Sequence, residues 1–249
     1  MKIISWNCHF GFDRKKAEYI LKYNADIFVI QECTEEDLTK LIDIWKNILW
    51  YGDYIDGKYG IGIFSNSFNL KKIENHKTEY RYIVPYKIFN DKTNFTLFSI
   101  WTKNVDLNKF KKEYVEQTYY AIKEAAYQEL LKSPVLLIGD FNSNNFFDKD
   151  YKRKKVPSHN DIIGYLREYN IESCYHKYYN CKDGSEIHPT LLWQNKIDQQ
   201  FHIDYCFSSL DFEIKNVDIG SLVEWEQTKL SDHCPLIVDL EFKNLSKSL

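Results

Sequence analysis

The chain has 249 residues, 44% hydrophobic and 28% charged, with a formal net charge of −3. That balance excludes a disordered or fibrous chain, and the weakly acidic total excludes nucleic-acid binding through a bulk basic field. With no apolar run long enough to span a bilayer and no long apolar segment ahead of the first strand, neither a membrane span nor a signal peptide is expected, and the chain reads as a cytoplasmic monomer.

Residues 2–7 read as a strand. Asp13 to Tyr23 reads as a helix capped by Asp13, with Ala17, Ile20 and Leu21 on one face. Ile27 to Ile30 is a second buried strand that runs into Gln31 and Glu32. Thr34 to Asp37 is a capping box opening a helix whose apolar stripe is Leu38, Leu41, Ile42 and Trp45. Gly60 to Ser65 is a strand whose glycines imply close backbone approach. Residues 81–89 and 94–101 form two strands joined by a hairpin turn at Asn90 to Asn94. A long helix is predicted over Leu107 to Leu131, with Val115, Tyr119, Ile122, Ala126 and Leu130 along one face. Ser133-Pro134 ends it and launches Val135 to Ile138, a run that fits a strand buried on both faces. Ser158 to Asp161 is a second capping box, and the last third returns to strands over Thr190–Trp193, His202–Ser208, Phe212–Gly220 and Pro235–Phe242. The six cysteines form no C-x-x-C pair and read as buried free thiols of a reducing compartment. No repeat or linker divides the chain, so a single domain over residues 1–249 is expected, with mixed sheets and helices outside.

Several of these apolar strands end in a residue suited to metal or phosphate chemistry. The first ends at Asn7, the second at Glu32. Val135 to Gly139 runs into Asp140 and Asn142, which alternation points the same way. Asp204 lies within the apolar stretch His202 to Ser208, and Ser231-Asp232-His233 precedes the last strand. An acid inside an apolar strand is costly unless paired or coordinated.

The collinear set Trp6-Asn7, Gln31-Glu32, Gly139-Asp140-Phe141-Asn142, Ile203-Asp204-Tyr205 and Ser231-Asp232-His233 resembles the endonuclease/exonuclease/phosphatase superfamily. Its members include DNase I, exonuclease III-type AP endonucleases, inositol-polyphosphate 5-phosphatases, sphingomyelinases and deadenylases. The resemblance implies a four-layer α/β/β/α sandwich with two mixed sheets face to face. It implies Glu32 as the main Mg²⁺ (or Mn²⁺) ligand, with Asn7 and Asp232 close to the metal. It also implies Asp140 acting on the attacking water, Asn142 bonding the phosphate, and Asp204 with His233 as a carboxylate–imidazole pair. A cation of this kind prefers one or two carboxylates and keeps several waters, and an imidazole beside a carboxylate favours its charged form. The chain departs from the family at Trp101-Thr102, where many members carry a second His or a Tyr, and at His9, where the family often has Asn or Asp.

Further substrate contacts are expected from His9, Trp101, His159, His202 and Lys154, the last within the basic run Lys149 to Lys155. The leading expectation is a metal-dependent hydrolase cleaving a phosphodiester of DNA or RNA. A phosphatase or phosphodiesterase on a small or lipid-linked phosphate is the alternative, and a non-catalytic phosphate-binding member is a third.

Overall fold

A computed structural model of the chain describes residues 1–52, 58–74, 80–103, 114–149, 152 and 155–243. Two six-stranded sheets dominate it. In spatial order, the first consists of β13 (Phe212–Ile219), β14 (Leu236–Phe242), β1 (Lys2–Asn7), β2 (Ile27–Cys33), β4 (Gly60–Ser65) and β3 (Asn47–Tyr51). The second consists of β5 (Asn69–Lys72), β6 (Ile83–Phe89), β7 (Asn94–Trp101), β8 (Val135–Asp140), β12 (Asp204–Ser209) and β9 (Ile171–Ser173). Both are mixed: β1 pairs β2 in parallel and β7 pairs β8 in parallel, while the other pairings are antiparallel. A two-stranded ribbon, β10 (Leu191–Leu192) with β11 (Gln200–Phe201), stands apart and bridges to His233 through Leu191.

Strand periodicity sorts the apolar side chains into layers. Ile3, Ile27 and Val29 of one sheet and Leu136, Ile138 and Cys206 of the other fill the core between the sheets. The alternate residues Ile4, Trp6, Phe28 and Ile30 face outward onto α1 (Arg14–Leu21) and α2 (Glu35–Thr39) through Ala17, Ile20 and Leu38. Phe98, Leu137, Tyr205 and Phe207 face the other way onto α3 (Tyr114–Ile122), α4 (Ala125–Leu131) and α5 (His159–Arg167). The result is the expected α/β/β/α sandwich. Each fully buried Ile, Leu, Val or Phe contributes about 1.5–3 kcal/mol by leaving water, which is why strands buried on both faces read as near-continuous apolar runs.

Both capping boxes form, Thr34 with Asp37 and Ser158 with Asp161, and Asp13 caps α1. Asn90 closes the β6–β7 hairpin, its Oδ1 accepting from the Lys92 and Thr93 amides. The predicted long helix is broken. Glu124 is extended (φ −66°, ψ 137°) and separates α3 from α4, and residues 107–113 of that prediction lie outside the described residues. The break lets Tyr127 reach the carbonyl of Ile83 at 2.7 Å and pack on Phe98, a tertiary contact that periodicity does not report. Ile42 is 71% exposed because α2 ends at Thr39 and helical spacing no longer applies beyond it. The short edge strands β3 and β5, strand β9, and the helices α6 (Cys174–Tyr179) and α7 (Leu222–Thr228) were not foreseen in the sequence.

Gly139 is demanded by the sheet. Its φ is +147°, and a Cβ there would sit 1.9 Å from the Ile100 carbonyl oxygen of the neighbouring strand. Its absence lets β8 lie tightly on β7 one residue before Asp140. Among the described residues, no helix is long and apolar enough to cross a membrane, and all six cysteines are free thiols.

Candidate active site

The same periodicity that builds the core aims the site. Ile3 faces the inter-sheet space, so Asn7, four residues on along β1, faces it too. Ile138 and Cys206 likewise set the direction of Asp140 and Asp204, which are register partners across β8 and β12. Three polar side chains from both sheets therefore meet where the inter-sheet apolar layer ends. The intervening residues Trp6, Phe141 and Tyr205 point away into the two outer cores.

Glu32 reaches this point by a different route. Strict alternation would send it outward with Phe28 and Ile30, but the β2–β4 register slips between Gln31 and Cys33, and Glu32 has φ +62°. The bulge rotates its carboxylate back toward β1. Asn7 Nδ2 then donates to Glu32 Oε1 at 2.9 Å and to Asp140 Oδ2 at 3.0 Å. The amide is fixed in this sense because its Oδ1 accepts from the His9 N–H at 3.0 Å. Asn7 thus turns a donor toward the carboxylates and bridges them.

Asp140 is 1% exposed and accepts three hydrogen bonds, from the Asn142 N–H (2.9 Å), Asn142 Nδ2 (2.9 Å) and Asn7 Nδ2. Burial, together with the charge of Asp204, pushes its carboxyl up to about 8 against the opposing pull of His233 and these donors. Asn142 Nδ2 also donates to the Thr102 carbonyl at 2.8 Å. Both amide hydrogens of Asn142 are therefore spent on Asp140 and Thr102. It orients the acid and, in this arrangement, has no free donor for a phosphate.

Two carboxylate–imidazole pairs flank the acids. His233 Nδ1 lies 2.9 Å from Asp204 Oδ2, with both residues buried. Burial alone would depress the imidazole, but Asp204 outweighs it, aided by Asp140 and Asp232, and holds it up at about 10. His9 Nδ1 lies 3.0 Å from Asp232 Oδ1 with its side chain 41% exposed. The hydrogen bond to Asp232 raises the His9 imidazole above its ordinary value. Burial pushes Asp232 upward, but His9 and His233 bring it below the usual carboxylate range.

The donor set suits a hard divalent cation. Oxygens of Asp140 and Asp204 lie within 4.8 Å of each other, with the His233 ring beside them, Asp204 Oδ1 is buried without a hydrogen-bond partner, and Glu32 adds a partly buried carboxylate. Concentrated carboxylate oxygen is what Mg²⁺-like ions take.

The other predicted contacts are buried or lie outside the described residues. Trp101 is buried beside Asp140 in the strand register and packs on Tyr82 at 4.8 Å. His159 is 1% exposed, bonded to Ser143 Oγ at 2.9 Å and packed at a tilt on Tyr205. Burial drives its imidazole down to about 3, so it braces the Asp140 loop from behind as a neutral ring. His202 precedes the strand proper, so alternation does not carry it toward Asp204. Its Nδ1 lies 2.7 Å from the His188 carbonyl and its ring packs on Tyr175 and Tyr205. Lys154 lies outside the described residues. From the same basic run, Lys149 lines a hollow of about 520 Å³ with Asn144, Asn145, Phe146, Gly184 and Glu186.

Two further residues of the site act through backbone groups. Ser231 Oγ donates to the Asn7 carbonyl at 2.6 Å and accepts from the His233 N–H. Thr190 Oγ1 accepts from the amides of Ile203 and Asp204. Ser231 lies in the Ser-Asp-His motif already noted, and Thr190 opens the predicted strand Thr190–Trp193, where the family resemblance implies a Thr near the site.

A model of the Endonuclease/Exonuclease/phosphatase family matches residues 4–233. No curated protein matches the chain. Solved structures of the same fold include a 3′ phosphatase from Neisseria bound to a product DNA hairpin, at 16% identity and TM-score 0.69 over 97% of this chain and 100% of that one. A 3′–5′ exonuclease from Neisseria meningitidis superposes at TM-score 0.67 with 18% identity over 98% and 100% of the two chains. An AP endonuclease from Archaeoglobus fulgidus gives TM-score 0.65 with 14% identity over 97% and 98%.

Proposed function

The chain belongs to the Endonuclease/Exonuclease/phosphatase family, and from that premise we propose that it is a Mg²⁺- or Mn²⁺-dependent phosphoesterase that hydrolyses a phosphodiester of nucleic acid by attack of water. The observation that carries this reading is the Asn7 amide bridging Glu32 and Asp140, with the Asp204–His233 pair against the same acid. Glu32 would hold the metal, with the oxygens of Asp140 and Asp204 beside it. When bound, the cation supplies Lewis-acid polarisation of a phosphoryl oxygen.

Asp140, placed by Asn7 and Asn142, accepts the proton of the attacking water. His233, kept cationic by Asp204, turns positive charge toward the oxygens on which negative charge grows. His9, held by Asp232, is a second imidazole donor at the rim. It occupies a place in the charge pattern that Trp101 does not fill. One Neisseria structure of this fold is a 3′ phosphatase bound to a product DNA hairpin and another is a 3′–5′ exonuclease, which makes DNA 3′ ends the first substrates to try.

The test is turnover of bis-p-nitrophenyl phosphate, single- and double-stranded oligonucleotides and 3′-phosphorylated DNA with Mg²⁺ or Mn²⁺. Cleavage abolished by EDTA and restored by metal supports the reading, and the panel ranks diester against monoester. No turnover on any phosphoester with either metal overturns it.

A further inference from the structure

The loop from β1 to α1 passes through three successive residues of positive φ, His9 (52°), Phe10 (57°) and Gly11 (104°). Two of these carry side chains, for which that conformation is unfavourable. Bonding on both edges of the loop holds it there. Its amides all turn one way: Cys8 N to the Gln31 carbonyl (3.0 Å), His9 N to Asn7 Oδ1 (3.0 Å), Phe10 N to Glu32 Oε2 (3.1 Å), Gly11 N to the Glu32 carbonyl (2.8 Å) and Phe12 N to Asp37 Oδ2 (2.9 Å). Its carbonyls turn the other way and converge on one atom. Lys16 Nζ donates to the carbonyls of Cys8, His9 (3.0 Å) and Gly11 (2.8 Å).

An ammonium has three N–H donors, and this loop takes all three. Lys16 is therefore committed to the backbone and not to a substrate phosphate. Its place in the chain is also against local preference. It sits in the first turn of α1, where no acid is present and where the helix dipole disfavours a cation. A residue that breaks a local rule this plainly has a tertiary use.

We propose that Lys16 is a positioning residue, an internal cation that clamps the β1–α1 loop so that the Phe10 amide orients the Glu32 carboxylate and the His9 imidazole meets Asp232. The proposal rests on the reading of Glu32 as metal anchor. Its logic is that of any ligand whose orientation is set by the hydrogen bonds behind it. Without the ammonium, the three carbonyls repel one another, the loop relaxes from its left-handed path, and Glu32 loses one of its two donors.

The test is Lys16→Met in the full chain, which keeps the stem and removes the charge. Three quantities are read: amide exchange of residues 8–12, Mn²⁺ affinity by electron paramagnetic resonance, and kcat at saturating Mn²⁺. Expected are exchange faster by at least about tenfold at Phe10 and Gly11 with the strands unchanged, and Mn²⁺ affinity weaker by about 10–100-fold. Saturating metal then recovers kcat only in part, since the metal ligand is intact but His9 is no longer held on Asp232. Lys16→Arg, whose planar fork cannot bring three donors to one point, falls between the two and serves as the scored variant should Lys16→Met not fold. Wild-type Mn²⁺ affinity in either folded variant overturns the proposal. If the wild type itself neither binds Mn²⁺ nor cleaves any phosphoester, the function reading fails and the metal role of Lys16 falls with it, while lost protection in Lys16→Met would still show the clamp.

Discussion

Replacing Asp204 with Asn isolates the electrostatics of the site. The substitution keeps the shape of the side chain and its place in β12, opposite Asp140, but removes the charge that faces His233 at 2.9 Å. His233 is buried, and burial alone favours the neutral ring. Holding it at about 10 instead of its ordinary 6.5 corresponds to about 5 kcal/mol in favour of the cation. Asp204 is the largest favourable contributor, with Asp140 and Asp232 behind it, so withdrawing its charge removes on the order of 3 kcal/mol. The sign is fixed by the direction of the shift. A histidine raised in the fold contributes stability that is complete below 6.5 and lost as pH climbs toward 10. In Asp204→Asn that contribution shrinks, and His233 deprotonates below about pH 8. The assay follows the His233 ring protons by NMR in metal-free protein, alongside the pH profile of kcat/KM. The expected result is a fall of about 10²–10⁴-fold in kcat/KM at pH 8 with partial recovery toward pH 6. An imidazolium that persists to pH 9 in the variant, with an unchanged profile, would refute the reasoning.

Asp140→Asn is expected to lower kcat by about 10²–10⁴-fold with the thermal transition nearly in place, read by turnover and calorimetry on the same sample. Glu186 is pushed up by burial but brought down to about 2 chiefly by the 2.7 Å bond to His176. Its contribution is therefore present above pH 4.5 and lost as pH falls toward 2. Discounted for its partly solvated position, Glu186→Gln should cost about 1–2 kcal/mol at pH 6, and denaturant titrations should show the gap closing by pH 2. His159, buried and held near 3, makes the fold lose stability as pH drops below 6.5, where the unfolded chain takes the proton. His159→Gln should flatten that slope by up to about 1.4 kcal/mol per pH unit and leave KM unchanged, whereas a raised KM would restore it to the substrate surface. Gly139→Ala should destabilise by on the order of 3 kcal/mol or more through its clash with the Ile100 carbonyl, measured by chemical denaturation.

The layered fold was legible because strand alternation and continuous apolar runs are local signals. Asn7 and Asp140 were legible as strand-end residues for the same reason, and Asp204 as an acid inside an apolar strand; their shared direction follows from counting by twos. What escaped was set by departures from period. Glu32 sits at the right place in the chain, but its aim depends on a one-residue register slip that no composition pattern announces. His202 was read as a strand neighbour of Asp204, yet the strand begins two residues later. The break at Glu124 follows from where Tyr127 finds its partner in β6. Lys16 was invisible as a site residue because its partners are three backbone carbonyls, and a sequence names only side chains.

The site also explains why buried acids persist beside one another. Glu32, Asp140, Asp204 and Asp232 bring four carboxyl groups to one end of the sandwich, and the imidazoles at hand are His9 and His233. The fold therefore falls short of balance by about two positive charges. In the metal-free protein it meets part of that deficit by keeping Asp140 protonated near neutral pH, with its carboxyl pushed up to about 8. In the proposed role of accepting a proton from water, Asp140 would be idle in that state. On the proposed reading, a divalent cation held by Glu32 would supply the missing charge and favour the carboxylate form of Asp140. Asn7 makes the coupling direct, because one amide nitrogen touches both acids. On that reading the proposed metal site and the proposed base are two ends of one electrostatic unit that spans β1 of one sheet and β8 of the other. It is assembled only when the two sheets have closed on each other.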